Sequence, residues 1–194
     1  GANSVAGNTV VGETALDAAV TGGDNTVIGK NALTTLTSGA SNTAVGRSAL
    51  QNTTTANDNS AVGYFALGSN TTGASNTAVG EQALYSNTTA SNNTAVGRLA
   101  LFVNTTGTNN VAVGATALDA CTTGSQNTAV GTSSLGAHTT GTSNTAIGYQ
   151  ALDANTTAHN NTAVGTSSLG ANTTGTQNVA IGANTLDANT TAND

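Results

Sequence analysis

The residues of this chain that could do chemistry are few. Gly29-Lys30 has the tail of a phosphate-binding loop, where a glycine-rich turn and a lysine cradle phosphate oxygens. The nearest upstream glycine, Gly23, lies one residue too far away, and Asn31 stands where the magnesium-binding hydroxyl is needed. Gly165-Thr166-Ser167-Ser168-Leu169-Gly170 approaches a nucleophile elbow, but Leu169 holds the place of the second glycine. His138 and His159 have no cysteine or carboxylate cluster at ligand spacing, so a zinc-type site is not built around them. Cys121 is the single cysteine and has no intrachain disulfide partner. Asp24-Asn25 and Asp58-Asn59 carry the oxygens that calcium takes, but Asp and Asn are also ordinary turn residues. Paired carboxylates of the kind that cleave glycans are not evident. The chain is therefore expected to be no enzyme, and to hold neither cofactor nor metal.

One motif with chemical meaning does recur. Asn-Thr-Thr creates acceptor sequons for N-glycosylation at Asn52, Asn70, Asn87, Asn104, Asn155, Asn172 and Asn189, with further sequons at Asn92 and Asn160. These are candidate glycosylation sites, and stacked in a column they would display a line of sugars. A chain this rich in Asn and Thr also forms sequons by chance.

What would position such residues is a tandem repeat. The phrase Asn42-Thr43-Ala44-Val45-Gly46 returns every 17 residues, beginning at Asn8 and ending with the copy at Asn178, in eleven copies without insertion or deletion. Counting each repeat from its Asn, position 1 is always Asn, position 4 Val or Ile, position 5 Gly and position 9 Leu. Position 14 is always Thr or Ser and position 15 Gly or Ala, whereas position 6 takes Glu13, Lys30, Arg47, Tyr64 or Ala115. Fixed positions belong inside or in turns, and free ones face water.

Seventeen residues cannot hold two helices and their turns. Thr-Ala-Val and Val-Ala-Val alternate with period two, which is a strand signal. We expect positions 2 and 4 to point inward and the Ala at position 3 to point out. Gly at position 5 takes the bend that ends the strand. A second strand is expected around Leu at position 9, a third at the Thr pair of positions 13 and 14, and a turn through positions 15 to 17. One repeat then makes one coil of an all-β, parallel β-solenoid or β-roll of eleven coils. The expected large core residues are Val45, Leu50, Val62, Leu67, Val79, Leu84, Val96, Leu101, Val113 and Leu118.

Two independent features agree with a solenoid. The chain has no proline, as expected where nearly every coil is hydrogen-bonded above and below. Asn at position 1, repeated at a rise of roughly 4.8 Å, can form an amide ladder, and eleven coils make a rod roughly 50 Å long. Two dependable large apolar groups per coil make a thin core, so association with neighbouring chains is expected.

The phrases Asn110-Val111-Ala112-Val113-Gly114 and Asn178-Val179-Ala180-Ile181-Gly182 resemble the head repeat of trimeric autotransporter adhesins, whose units carry a Ser-Val-Ala-Ile-Gly phrase. Asn76-Thr77-Ala78-Val79-Gly80-Glu81-Gln82-Ala83-Leu84-Tyr85-Ser86-Asn87-Thr88-Thr89 resembles repeats of bacterial and phage fibres that end in a self-cleaving chaperone domain. The resemblance implies a left-handed parallel β-roll with three chains side by side and the second and fourth residues, here Val111, Val113, Val179 and Ile181, turned inward. The adhesin repeat is shorter than 17 residues, nine of eleven copies here carry Thr or Ser at position 2, and neither a coiled-coil stalk nor a membrane anchor is expected within these residues.

In domain terms, residues 1–7 read as a fragment of a preceding coil, and residues 8–194 as one continuous array belonging to a longer fibre. The first two repeats stand apart, with Val10 and Val27 at position 3 and Ala19 and Leu36 at position 12, where later repeats usually have Asn. Tyr64, Phe65 and Tyr85 form an aromatic neighbourhood, with Phe102 and Tyr149 apart from it and Leu99 and Val103 as further outward apolar groups. With three basic residues against nine acidic ones, net charge −6, the surface does not suit nucleic acid or anionic membrane. No apolar run is long enough for a transmembrane helix.

The reading from sequence is thus a structural, extracellular or cell- or virion-surface protein. It is a stiff fibre or stalk, a homotrimer whose first partner is itself, with a surface glycan or host receptor as a further partner. The alternative is a monomeric solenoid that binds ice or a glycan surface. Against ice, the adjacent Thr of positions 13 and 14 leave one outward Thr column rather than two.

Overall fold

Each repeat contributes one three-residue strand, and hydrogen bonding from repeat to repeat builds the rest. The computed structural model describes residues 5–193. Its strands are β1 (Thr9–Val11), β2 (Thr26–Ile28), β3 (Thr43–Val45), β4 (Ser60–Val62), β5 (Thr77–Val79), β6 (Thr94–Val96), β7 (Val111–Val113), β8 (Thr128–Val130), β9 (Thr145–Ile147), β10 (Thr162–Val164) and β11 (Val179–Ile181). They form one eleven-stranded parallel sheet in chain order, each strand paired with the equivalent residues of the next, as in Thr43↔Ser60 and Val45↔Val62. Repeat and coil coincide: the chain is a parallel β-solenoid. Of the expected fragment at residues 1–7, only residues 5–7 are described, and the end of the array at Asp194 also lies outside the described residues.

The strands occupy positions 2 to 4, as the alternation indicates, but the sheet faces the other way. The Ala of position 3 lies inside, fully buried at Ala44, Ala61, Ala78, Ala95, Ala112, Ala129, Ala146 and Ala163. The residues of positions 2 and 4 point out. Val62 and Val79 are 39% and 38% exposed, and Val45, Val96 and Val113 are only half-buried, so none of these five valines belongs to the coil's interior. Leu50, Leu67, Leu84, Leu101 and Leu118, by contrast, are core residues with no exposed surface. The physical reason is width. Leu of position 9, the Ala or Ser of position 8, the Asn of position 1 and the position-12 side chain already fill most of the space behind the sheet, so position 3 is Ala from the third repeat on, and the larger Val27 of the second repeat is likewise fully buried.

The second and third strands do not form. Positions 7 and 9 sit in the left-handed region, for example Ser48 at φ 59° and Leu50 at φ 51°, so that segment is folded rather than extended. Coils remain bonded there nonetheless, through Leu50 N–H to the Ala66 carbonyl (3.0 Å) and Thr54 N–H to the Thr71 carbonyl (3.0 Å). At position 5 the expected glycine bend is present. Gly97 has φ 136°, and a Cβ there would lie 2.4 Å from the Gly114 carbonyl oxygen of the next coil. Close stacking of coil on coil and a positive φ both require glycine.

The Asn of position 1 forms the expected ladder. Asn42 Nδ2 donates to Asn25 Oδ1 (3.0 Å), and the Asn42 backbone N–H donates to the same oxygen (2.9 Å). Nδ2 also crosses the coil to the position-15 carbonyl of Ala56 (2.9 Å), bracing the two sides of the turn.

Candidate functional site

The outward side of the sheet is the most regular surface of the molecule. Because side chains alternate along a strand, turning the Ala column in turns both neighbouring columns out. Position 4 presents Val or Ile in every coil. Val11, Ile28, Val62, Val79, Ile147 and Ile181 are among the exposed large apolar residues of the protein. Position 2 presents Thr or Ser in nine coils, and Val at Val111 and Val179. The result is one continuous strip running the length of the sheet, with hydroxyls along one edge and branched apolar groups along the other. Val111, Val113, Val179 and Ile181, which the repeat resemblance turns inward, face away from their own coil's interior.

A second distinctive surface interrupts the polar columns of coils three to six. Phe65 packs edge-on against Tyr64 (centroids 4.6 Å) and Tyr85 (5.8 Å), and Tyr85 stacks on Phe102 (5.7 Å). The aromatic neighbourhood read from the sequence therefore includes Phe102, which tertiary structure brings next to Tyr85 from one repeat further on. Gly68 makes the arrangement possible: a Cβ there would meet Phe65 Cδ1 at 3.0 Å and Tyr85 Cδ2 at 3.3 Å. Arg47 covers the Tyr64 ring at 5.7 Å, a cation–π contact. Nearby charges pair along the position-6 column, Lys30 with Glu13 (2.9 Å) and Arg98 with Glu81 (3.5 Å), all largely exposed and contributing little to stability.

The sequons do not form a displayed column. Asn70, Asn87, Asn104, Asn155 and Asn172 occupy position 12, and their side chains point into the coil with no exposed surface. Four of them, Asn70, Asn87, Asn104 and Asn172, give Nδ2 to the position-15 carbonyl of their own turn, as Asn70 does to Gly73 (2.9 Å). The folded coil therefore presents none of these five side-chain nitrogens to solvent. Asn52, one position earlier in its coil, is exposed, as are Asn92 and Asn160, and Asn189 is partly exposed.

Two other singular residues lie in the same interior column. Cys121 is fully buried with Sγ 3.7 Å from the Gly124 carbonyl, and burial pushes its thiol up to about 11, so it stays protonated and unreactive at neutral pH. His138 follows one coil later, also fully buried, while His159 lies outside and meets Thr142. The two histidines thus sit on opposite sides of the coil wall. Asp119 and Asp153, in the position-10 column, have carboxyls raised above the ordinary range chiefly by desolvation. Among the described residues there is no group of three or more His, Cys, Asp or Glu disposed to hold a metal, no pocket, and no helix long and apolar enough to cross a membrane. The position-12 column is what sequence reasoning missed. Its signal was present, because Leu36, Cys121 and the Asn residues share a register, and Leu and Cys favour an interior column.

No protein-family model, curated protein or solved structure matches this chain.

Proposed function

We propose that the chain is the rod of an extracellular or virion-surface fibre, non-enzymatic, in which copies associate side by side through the outward face of the sheet. The observation that carries this reading is the unbroken Val/Ile column of position 4, outward-facing and exposed or half-buried along the array. A contiguous apolar strip of that length is unusual on a monomer and typical of an association surface. Three copies, as the resemblance to adhesin-head and phage-fibre repeats implies, would turn the column toward a common axis and complete the thin core. The aromatic ladder with Arg47 is the place on the side of such a rod where a glycan or protein receptor would be gripped.

The test is the solution mass by light scattering. A mass three times the 18.6 kDa of the chain supports the reading, and a monomeric mass overturns it. Val79→Asp should dissociate the assembly while each chain keeps its β-rich spectrum, because Val79 points away from its own coil.

One observation favours a second reading. The outward Thr column of position 2 runs beside the Val column, giving hydroxyls and methyls at roughly 4.8 Å along the rod and roughly 6.6 Å across it. A monomer with such a face is suited to ordering water as an ice-binding module. Ice-growth inhibition by a monomeric chain would move this reading to the front, and its absence would remove it.

A further inference from the structure

The interior column of position 12 contains one group that can change charge near neutral pH. His138 has no exposed surface, its Nδ1 lies 2.9 Å from Asn155 Oδ1, and its Nε2 lies 2.9 Å from the Gly141 carbonyl oxygen. A neutral imidazole has one N–H, so it can donate to only one of these two oxygens. In the same place Asn155 Nδ2, buried in the next coil, has no hydrogen-bond partner. The arrangement with Oδ1 toward His138 is the one an imidazolium requires, both ring nitrogens donating. A half-turn of the Asn155 amide presents Nδ2 instead. Nδ2 then donates to Nδ1, Nε2–H donates to Gly141, and the neutral ring is fully paired.

We propose that His138 and Asn155 form a proton-coupled joint inside the rod, in which acidification charges His138, turns the Asn155 amide and weakens the stacking of the two coils they belong to. The structure shows why the charge is costly. Toward the preceding coil the column holds Cys121, a neutral thiol. Toward the following coil it holds the uncharged amide of Asn155. On that coil His159 acts to lower His138 further, and the carboxyl of the outward Asp153 is engaged with Gly136. Among the described residues no carboxylate pairs with the ring. Desolvation, the largest influence, accordingly lowers His138 below its ordinary value of 6.5. Since the unfolded chain binds this proton more readily, stability is complete above about pH 6.5 and is lost as pH falls through that range toward the folded-state value. In an array where each coil touches only its neighbours, the loss is local.

Hydrogen exchange of the intact chain at pH 7 and pH 5, corrected for intrinsic exchange, tests this. The expected result is a selective loss of amide protection in residues 127–160 at pH 5, relative to residues 42–75, and no such loss in His138→Asn, which installs the side chain that other coils carry at this position. Equal pH dependence in the two proteins would overturn the proposal. Imidazole 15N shifts of the unmodified chain, assigned with His159→Asn, give an independent reading. A neutral His138 at pH 7 is expected, and a charged one would overturn the proposal even if the His138→Asn chain failed to fold.

Discussion

Two columns of asparagine run through this solenoid, and they differ in tolerance. Position 1 is Asn in every repeat, whereas position 12 passes from Ala19, Leu36 and Thr53 to Asn, Cys121 and His138. From the second repeat to the tenth both are buried, so burial does not explain the contrast there. The hydrogen bonds do. A position-1 amide such as Asn93 gives Nδ2 to the Gly107 carbonyl (2.9 Å), and its Oδ1 is the acceptor for the backbone N–H of Asn110 (3.0 Å). Removing it strands a buried backbone donor. A position-12 amide such as Asn87 gives Nδ2 to Asn70 Oδ1 (2.9 Å) and to the Ala90 carbonyl (3.0 Å), but Ala90 is already served by Asn76 Nδ2 (2.9 Å). Its own backbone N–H goes to the Leu84 carbonyl. The second column repeats what the first secures, and it can drift to any side chain that fills the space.

This contrast can be broken by substitution. Asn93→Ala is expected to have the largest effect, about 2–5 kcal/mol, because it removes two hydrogen bonds and orphans the Asn110 N–H. Denaturant unfolding should show it as a lowered midpoint. Asn87→Ala should cost less, about 1–2 kcal/mol: the Asn70 Oδ1 is left unpaired and Asn104 Nδ2 loses the Asn87 Oδ1 acceptor, but Asn104 keeps the Gly107 carbonyl and no backbone group is left without a partner. Equal losses for the two variants would mean that the columns are equivalent and that the invariance of position 1 has another cause. The smallest change is expected at Cys121. Asn104 Oδ1 is buried without a partner because the next coil carries Cys121 rather than an amide. Cys121→Asn supplies that donor but sets a new buried Oδ1 opposite His138, whose ring nitrogens are engaged with Asn155 and Gly141, so the unpaired oxygen moves one coil along and the same midpoint should shift by less than about 0.5 kcal/mol.

Much of the fold is legible in residue spacing. The period makes one repeat one coil, because equivalent residues that recur without insertion can pair in register, as Thr43 does with Ser60. Gly at position 5, Leu at position 9 and Asn at position 1 are each fixed by a local demand: a positive φ with no room for Cβ, the one large interior side chain, and a ladder bridging neighbouring coils. Those demands act within one coil or between nearest neighbours, so they leave a mark at every repeat.

Tertiary structure alone decided which side of the strand is inside. Alternation places positions 2 and 4 on one side and position 3 on the other, but it is symmetric between the two choices. Side-chain size favours Val over Ala for the interior, and the coil does the reverse, because the leucine of position 9 and the two Asn columns reach across from distant parts of the repeat and occupy that volume. The same closure carries the position-12 sequons inward and leaves Asn52, one residue away, outside. A segment read by itself cannot register how much of the interior other segments have already filled. That filling sets the Val and Ile column on the surface and makes it available to another chain.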